Sequence, residues 1–478
     1  MQKLKEKWKI EKIELATFLC LLVVACPILD VASFLFRNSF HLNFSPSTIL
    51  RPVIPIVAIL YLFFKKDKKF KLYTIGIGFL YGIYAIVHLW LFEQVKTGSS
   101  YSNVVHEAQY LVNYSFMILN LFLYSYVFRK QKEEKLRHCI LYSMILYLGL
   151  LLLAIVTGTS STTYLEGIGL KGWFESGNSL SAILVLSLFV LLPMIKEKKK
   201  QKVVIPVLIV MGIVLMTVIG TRVGLLGYLL VCIVYFILES IFYFIRNKKI
   251  NKKYIGIGCA VLLVVVIALG VVGSSTLQRR KQLAEQSDKI IDPSTNQVAH
   301  LTGDLVQIKK QIDENTLPEG YMSEAQKKSV VELYNIAEEL NLSHTQMRVI
   351  QLIYNALLVK NQANPLYILF GNGYMANFRE LVLEMEIPAF LFNFGLIGFI
   401  LYFIPFVITF LYGIIKGWKY RNKIDVSYVM LVLGCGFTFA LSFFSGYTFF
   451  NSSSMIMIVA INALMLNKIR KIEKGEVV

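Results

Sequence analysis

The sequence predicts an all-α polytopic membrane protein of about twelve transmembrane helices with one large, mostly helical extracytoplasmic loop. Three observations predict it. Of 478 residues, 56% are hydrophobic and only 17% charged, with a mean hydropathy of +0.60, which is more apolar surface than one soluble core buries. Apolar runs long enough to cross a bilayer recur along the chain. Basic residues gather in every second connector between those runs.

The runs lie near 15–36, 49–64, 72–92, 111–128, 139–156, 178–195, 203–220, 223–245, 254–272, 387–415, 426–444 and 450–466. The run at 49–64 is short for a span. The connectors holding Lys65–Lys71, Arg129–Arg137, Lys196–Lys202, Arg246–Lys253, Lys416–Lys423 and Lys468–Lys474 are basic, as is the segment before Leu15. The alternate short connectors carry only Arg37, Lys96, Lys171 and Arg222. By the positive-inside pattern both termini are cytoplasmic and the long polar stretch faces outward. The first run lacks a small-residue cleavage site and reads as an uncleaved span. The formal net charge of +19 therefore reflects membrane topology, not a nucleic-acid surface.

This divides the chain into spans one to nine over 1–272, an extracytoplasmic loop domain over 273–386, and the last three spans with a cytoplasmic tail over 387–478. The six cysteines all fall within apolar runs, so neither a disulfide framework nor a cysteine metal site is indicated. The polar stretch from Gly273 to Leu366 has the marks of a folded unit. Leu305, Ile308 and Ile312 share a helical face, and Ser323 with Gln326 and Ser343 with Gln346 have capping-box spacing. From Met347, an apolar stripe of Met347, Ile350, Tyr354 and Leu357 stands beside a polar face of Arg348, Gln351 and Asn355.

Few residues in such a chain can carry chemistry. Arg222, in Ile219-Gly220-Thr221-Arg222-Val223-Gly224, occupies a very short turn at the membrane boundary, where a planar guanidinium either grips phosphate oxygens in two places or snorkels to headgroups. Arg51 beside Pro52 is ambiguous in the same way, and Arg348 taken alone reads as a solvated charge. The acidic cluster Glu380, Glu384 and Glu386 precedes the tenth run and offers either a proton acceptor or an ordinary acidic helix start. The segment holding Lys171, Trp173, Phe174 and Asn178 offers aromatic faces and an amide, suited to a sugar or to an interfacial belt. Otherwise the spans are nearly free of charge apart from Arg51, Asp30, His88 and Glu239. No P-loop, H-E-x-x-H or D-x-D element is present, and Gly371-Asn372-Gly373-Tyr374 lacks the third glycine of a dinucleotide fingerprint. A soluble nucleotide donor, a metal and other cofactors are thus not indicated.

In order and placement these elements resemble the O-antigen ligase and polymerase superfamily over roughly residues 164 to 415. Arg222 with Leu226 is similar to that family's Arg-x-x-x-Leu element. The Arg348 helix followed by Asn364-Pro365 and Leu369-Phe370-Gly371-Asn372-Gly373 is similar to its arginine-bearing helix and glycine turn. Phe394-Gly395-Leu396-Ile397-Gly398 resembles the glycine pair opening the next span, and Lys171-Gly172-Trp173-Phe174 with Asn178 resembles the motif heading its central span. Where lipopolysaccharide ligases carry a His-Asn pair, this chain has Glu384-Met385-Glu386, which is more similar to polymerase-type members of Gram-positive bacteria.

The resemblance implies a GT-C-like bundle that polymerises or ligates polyprenyl-diphosphate-linked oligosaccharide units outside the membrane, without metal or nucleotide. Arg222 and Arg348 would stabilise the leaving diphosphate, and Glu384 or Glu386 would take the proton of the attacking hydroxyl, inverting the anomeric carbon. Arg51, Lys171, Trp173, Asn178, Asn372 and Tyr374 would hold substrate. The partners implied are a lipid-linked glycan donor, a glycan acceptor and membrane lipid, with a flippase and a chain-length regulator alongside, and no nucleic acid. Rival readings are a lipid-linked oligosaccharide flippase or transporter, a peptidoglycan polymerase of the shape, elongation, division and sporulation class, and a scaffold whose loop binds a partner.

Overall fold

A computed structural model describes residues 15–41, 46–65, 68–95, 98, 102–129, 133–164, 167–248, 256, 275, 278–279, 281–282, 304–342, 346–376, 381–446 and 448–476. The protein is an all-helical polytopic membrane protein. Among the described residues, nine helices are long and apolar enough to cross a membrane, or ten if a bent pair counts as one. Of the expected span at 254–272 only residue 256 is described, and the glutamate at 380 lies outside the described residues.

The first half runs α1 (Leu15–Asn38), α2 (Pro46–Lys65), α3 (Lys68–Val95), α4 (Val104–Val127), α5 (Glu133–Val156), a short ribbon of β1 (Ser161–Thr162) with β2 (Leu170–Gly172), α6 (Gly177–Met194), α7 (Gln201–Ile219) and α8 (Arg222–Asn247). The second half runs α9 (Asp304–Asp313), α10 (Glu324–Glu339), α11 (Met347–Asn361), α12 (Leu366–Phe370), α13 (Glu386–Tyr402), α14 (Ile404–Lys419), α15 (Val426–Phe444) and α16 (Ser452–Glu473). The antiparallel ribbon was not expected from the sequence; it turns the 161–172 segment back onto α5 and α6.

Two helices form the axis of the bundle. Of the apolar stretches, 94% of α6 and 89% of α16 are buried, against 22% of α3, so α6 and α16 are central and α3 peripheral. The sequence of α6 explains this, since it has no charged residue and is apolar on every side. Deep in the helix Ser187 Oγ bonds locally, donating to the Ile183 carbonyl at 2.7 Å, as Asn462 Nδ2 of α16 donates to Ile458 at 2.9 Å. Around this axis α4 packs along α16, α1 along α5, and α8 and α15 along α6.

The two ends of the bundle differ. One end holds the basic connectors, where basic side chains meet carboxylates, as in Arg137 with Glu197 at 2.6 Å and Lys468 with Asp425 at 2.9 Å. The other end carries α9 to α12, of which α9, α10 and α11 share a separate apolar core that includes Leu305, Val330, Leu333, Ile350, Tyr354 and Leu358, while Tyr367 of α12 joins the main core. The Met347, Ile350, Tyr354, Leu357 stripe of α11 faces this core, and desolvation raises the Tyr354 phenol. The Ser323–Gln326 capping box is formed, with Gln326 N–H donating to Ser323 Oγ at 3.3 Å and Ser323 N–H to Gln326 Oε1 at 3.0 Å. The Gln326 amide also donates to the carbonyls of Val95 at 2.6 Å and Ala376 at 2.9 Å, which fastens this unit to the end of α3. Ser343 lies outside the described residues, and Gln346 at the start of α11 makes no side-chain cap bond.

The expected single span at 387–415 is two helices, α13 and α14, bent by 44° at Phe403, where Pro405 opens α14. The glycine pair expected to open a span instead lies inside α13, which breaks at Gly395 (φ 69°, ψ −178°). A Cβ there would collide with Gly371 and the Leu369 carbonyl, so only glycine allows α12 and α13 this approach. The break frees carbonyls that the 370–373 turn satisfies: Asn372 N–H donates to Phe392 at 3.2 Å and Gly373 N–H to Asn393 at 2.9 Å.

Candidate functional site

The half-exposed pair Arg348 and Glu384 lies where α11 meets the end of α15. Arg348 Nε donates to Glu384 Oε2 at 3.2 Å, NH2 donates to the Ser445 carbonyl at 3.0 Å, and NH1 donates to the Phe444 carbonyl. Those carbonyls are available because α15 ends at Phe444 and its last turn has no helical partner. A guanidinium has five N–H groups, so these three bonds fix its plane and leave one N–H on each terminal nitrogen for a bidentate acceptor. Glu384 keeps Oε1 without a partner among the described residues, and its backbone N–H donates to Gln351 Oε1 at 3.3 Å. Arg348 and Glu384 are 39% and 38% exposed, so both are held in place yet reachable.

Asn178 and Arg222 belong to the same end. Asn178 Nδ2, in the first turn of α6, donates to the Ser445 carbonyl at 3.2 Å, so Asn178 and Arg348 share an acceptor. One turn further along α6, Ser181 Oγ and Thr221 Oγ1 hydrogen bond at 2.6 Å. Thr221 is the N-cap of α8 and Arg222 its first residue. Gly224 permits that contact, since a Cβ would strike both hydroxyls. Arg222 is exposed, makes no hydrogen bond or ion pair among the described residues, and adds its charge to the positive end of the α8 dipole.

The other residues singled out from sequence are placed differently. Glu386 is fully buried and its carboxylate accepts three backbone N–H groups, from Thr448 at 2.7 Å, Phe449 at 3.1 Å and Phe450 at 2.8 Å. It pins the turn that leads into α16. Asn372 is buried in the α12–α13 junction, accepting from Gln362 at 3.1 Å. Tyr374 is buried with its ring stacked on Tyr110 at 4.2 Å, while its backbone N–H donates to Glu107 Oε1 at 3.0 Å. Trp173 Nε1 donates to Thr159 Oγ1 at 3.0 Å beside the ribbon. Lys171 Nζ donates to the Glu175 carbonyl at 3.0 Å, and partial burial lowers its ammonium pKa against the opposing pull of the Glu175 charge.

Arg51 sits apart, across the first turn of α6 from the Arg348 cluster. Its NH2 donates to Asp30 Oδ1 at 2.6 Å and Ser453 Oγ at 2.6 Å, and NH1 to Ser452 Oγ at 2.8 Å. Asp30 Oδ2 also accepts from the Tyr147 hydroxyl at 2.7 Å. This network lines a cavity of about 190 Å³ whose walls include Arg37 and Glu175, Tyr110 and Tyr114, and Ser176 and Ser179 at the start of α6.

From the sequence Asp30 and His88 stand out only as ionisable residues within apolar runs, with no partner or role assigned, and Glu107 is missed. His88 on α3 and Glu107 on α4 form a buried pair. His88 Nε2 meets Glu107 Oε1 at 2.8 Å, and Nδ1 donates to the Phe370 carbonyl at 2.6 Å. Glu107 also accepts from Met375 N–H at 2.8 Å. Together they clamp the 370–375 turn onto the α3–α4 hairpin.

The family model described as O-antigen ligase like membrane protein matches residues 12–472. No curated protein matches the chain.

Proposed function

Because the chain belongs to the O-antigen ligase-like membrane protein family, we propose that it joins polyprenyl-diphosphate-linked oligosaccharide units into a cell-surface polysaccharide at the outer face of the membrane. The end of the bundle bearing α9 to α12 faces outward in this reading, with the basic end in the cytoplasm, as the distribution of Lys and Arg favours. The observation that carries the proposal is the Arg348–Glu384 pair, an oriented guanidinium with two free donors beside a carboxylate with one free oxygen.

The donor is a glycan whose anomeric carbon bears the lipid diphosphate. The acceptor hydroxyl attacks that carbon from the opposite face; the carbon–oxygen bond to diphosphate breaks as the new glycosidic bond forms, and the anomeric configuration inverts. Arg348 offers its remaining N–H groups to the diphosphate oxygens as negative charge develops, in a fixed geometry that needs no reorganisation. Arg222, uncompensated at the positive end of α8, adds attraction for the same charge. Glu384 Oε1 takes the proton from the acceptor hydroxyl. Glu386 has a different task in this reading: its lone pairs are committed to three backbone amides, and it holds the turn from which α16 starts.

The test is deletion of the gene followed by analysis of lipid-linked glycans. The expected result is loss of long polymer with single repeat units accumulating on the outer leaflet, restored by the wild-type gene and not by Arg348→Ala at equal expression. Accumulation on the cytoplasmic leaflet would make the protein a flippase instead.

A further inference from the structure

A second cavity lies at the basic end of the bundle, away from the Arg348–Glu384 cluster, where the ends of α4 and α16 meet α14. The local structure explains which side chains reach it. Asn467 of α16 donates through Nδ2 to the carbonyl of Phe128, the residue that caps α4, and so holds the chain just before Arg129 against α16. Asn467, Arg470, Lys471 and Lys474 follow at helical spacing on one face of α16 and its cap. All four line the cavity together with Arg129 and, from α14, Tyr412.

The charges in this cavity do not cancel. Four cations in its walls, Arg129, Arg470, Lys471 and Lys474, meet two carboxylates, Glu473 and Glu476, a surplus of two positive charges. Following the ion pairs outward leaves that surplus unchanged, because Lys471 meets Glu133 at 3.4 Å while Glu473 meets Lys416 at 2.5 Å, one further charge of each sign. Lys474 and Glu476 stand 3.9 Å apart. The surplus therefore belongs to Arg129 and Arg470, which form no ion pair among the described residues and whose charges oppose each other. Between Arg129 and Glu133 the sequence Lys130-Gln131-Lys132 supplies no acid. The C-terminal ends of α4 and α16 place about −0.5 charge each beside the cavity, roughly half of the surplus, so positive charge remains. Arg137, Lys196, Lys198 and Lys468, at the same end, each meet a carboxylate. Membrane topology asks only for positive charge on one side, and does not account for two unpaired guanidiniums in the wall of one cavity.

The neighbouring face of α14 indicates what kind of anion fits. Ile408, Leu411, Tyr412 and Ile415 stand on one face at helical spacing. Ile408, Leu411 and Ile415 are 60%, 48% and 65% exposed, as side chains that meet acyl chains are, and Tyr412 carries that face into the cavity. Trp418, exposed near the end of α14, has the placement of an interfacial aromatic. A ligand with a phosphate head and hydrocarbon tails meets both surfaces at once, whereas a soluble phosphate uses only the arginines. We propose that this cavity binds the phosphate head of an anionic phospholipid from the leaflet at the basic end, with Arg129 and Arg470 gripping its oxygens and its tails along α14. The site is independent of the glycan-transfer reading.

Native mass spectrometry of the full-length protein in detergent, titrated with phosphatidylglycerol or with zwitterionic phosphatidylcholine, tests this. Wild type is expected to bind phosphatidylglycerol about tenfold more tightly than phosphatidylcholine. Arg129 is exposed in a turn, so Arg129→Ala should weaken phosphatidylglycerol binding about fivefold at unchanged melting temperature. Adding Arg470→Ala should bring the loss to at least about tenfold; if that double variant loses its fold, Arg129→Ala alone decides. A Lys199→Ala, Lys200→Ala control removes two exposed charges from another connector at the same end and should stay within about twofold of wild type. Unchanged binding in Arg129→Ala, or an equal loss in the control, overturns the site. Displacement of the lipid by inorganic phosphate at constant ionic strength overturns its assignment to a lipid.

Discussion

Two kinds of carboxylate meet at the same end of this bundle. Glu107 and Glu386 are sealed in the interior with both oxygens given to backbone N–H groups of the 374–375 and 448–450 turns. Glu384 and Asp30 stand beside arginines at the margin of open space. Saturated carboxylates hold irregular backbone that buried surroundings leave without water; the others keep lone pairs or a paired guanidinium at the edge of accessible space. Glu384 and Glu386 differ by two positions in sequence and belong to opposite classes, because residue 384 precedes the helix and residue 386 begins it, turned inward.

Breaking a sealed carboxylate should have the largest effect. Glu386→Leu strands three buried N–H groups at ~1–3 kcal/mol each, so folded protein is expected to be lost, read as absence of a monodisperse peak in detergent. Glu107→Leu should be next in severity, stranding two amides and the His88 partner.

The open pair should respond in activity without loss of fold. Glu384→Gln keeps shape and removes the proposed proton acceptor, and transfer should fall by ~10²–10⁴ with little change in melting temperature. Arg348→Ala should lower transfer by ~10²–10³, and Arg348→Lys should recover little because a point charge cannot reproduce the fork. Arg222→Ala should cost about tenfold, equivalent to ~1.4 kcal/mol, and because Arg222 is exposed the loss should shrink as salt is added. A Glu384→Gln variant that failed to fold, with a Glu386→Leu variant that folded and lost only turnover, would reverse the distinction.

The fold was largely legible in the sequence because a bilayer demands long apolar runs, and that demand is local. The ends of α1, α6, α8 and α15 fall within a few residues of the expected runs, and the Ser323–Gln326 box marked the start of α10. What could not be read depends on distant pairings. The break at Gly395 has meaning only beside Gly371, and Arg51 meets serines 401 and 402 positions away. Arg348 looked like a surface charge because its partners, the carbonyls at the end of α15, are 96 and 97 positions along the chain. Glu107 gave no signal, as one acid in the first turn of a helix fits the dipole equally well.

The most direct measurement of the central claim is single-turnover release of polyprenyl diphosphate from lipid-linked repeat units by purified protein in liposomes, comparing wild type with Glu384→Gln at matched melting temperature. The account predicts diphosphate release with a matching gain in glycan length for wild type, and neither for the folded variant. Release at the wild-type rate by Glu384→Gln, or none by the wild type itself, would contradict it.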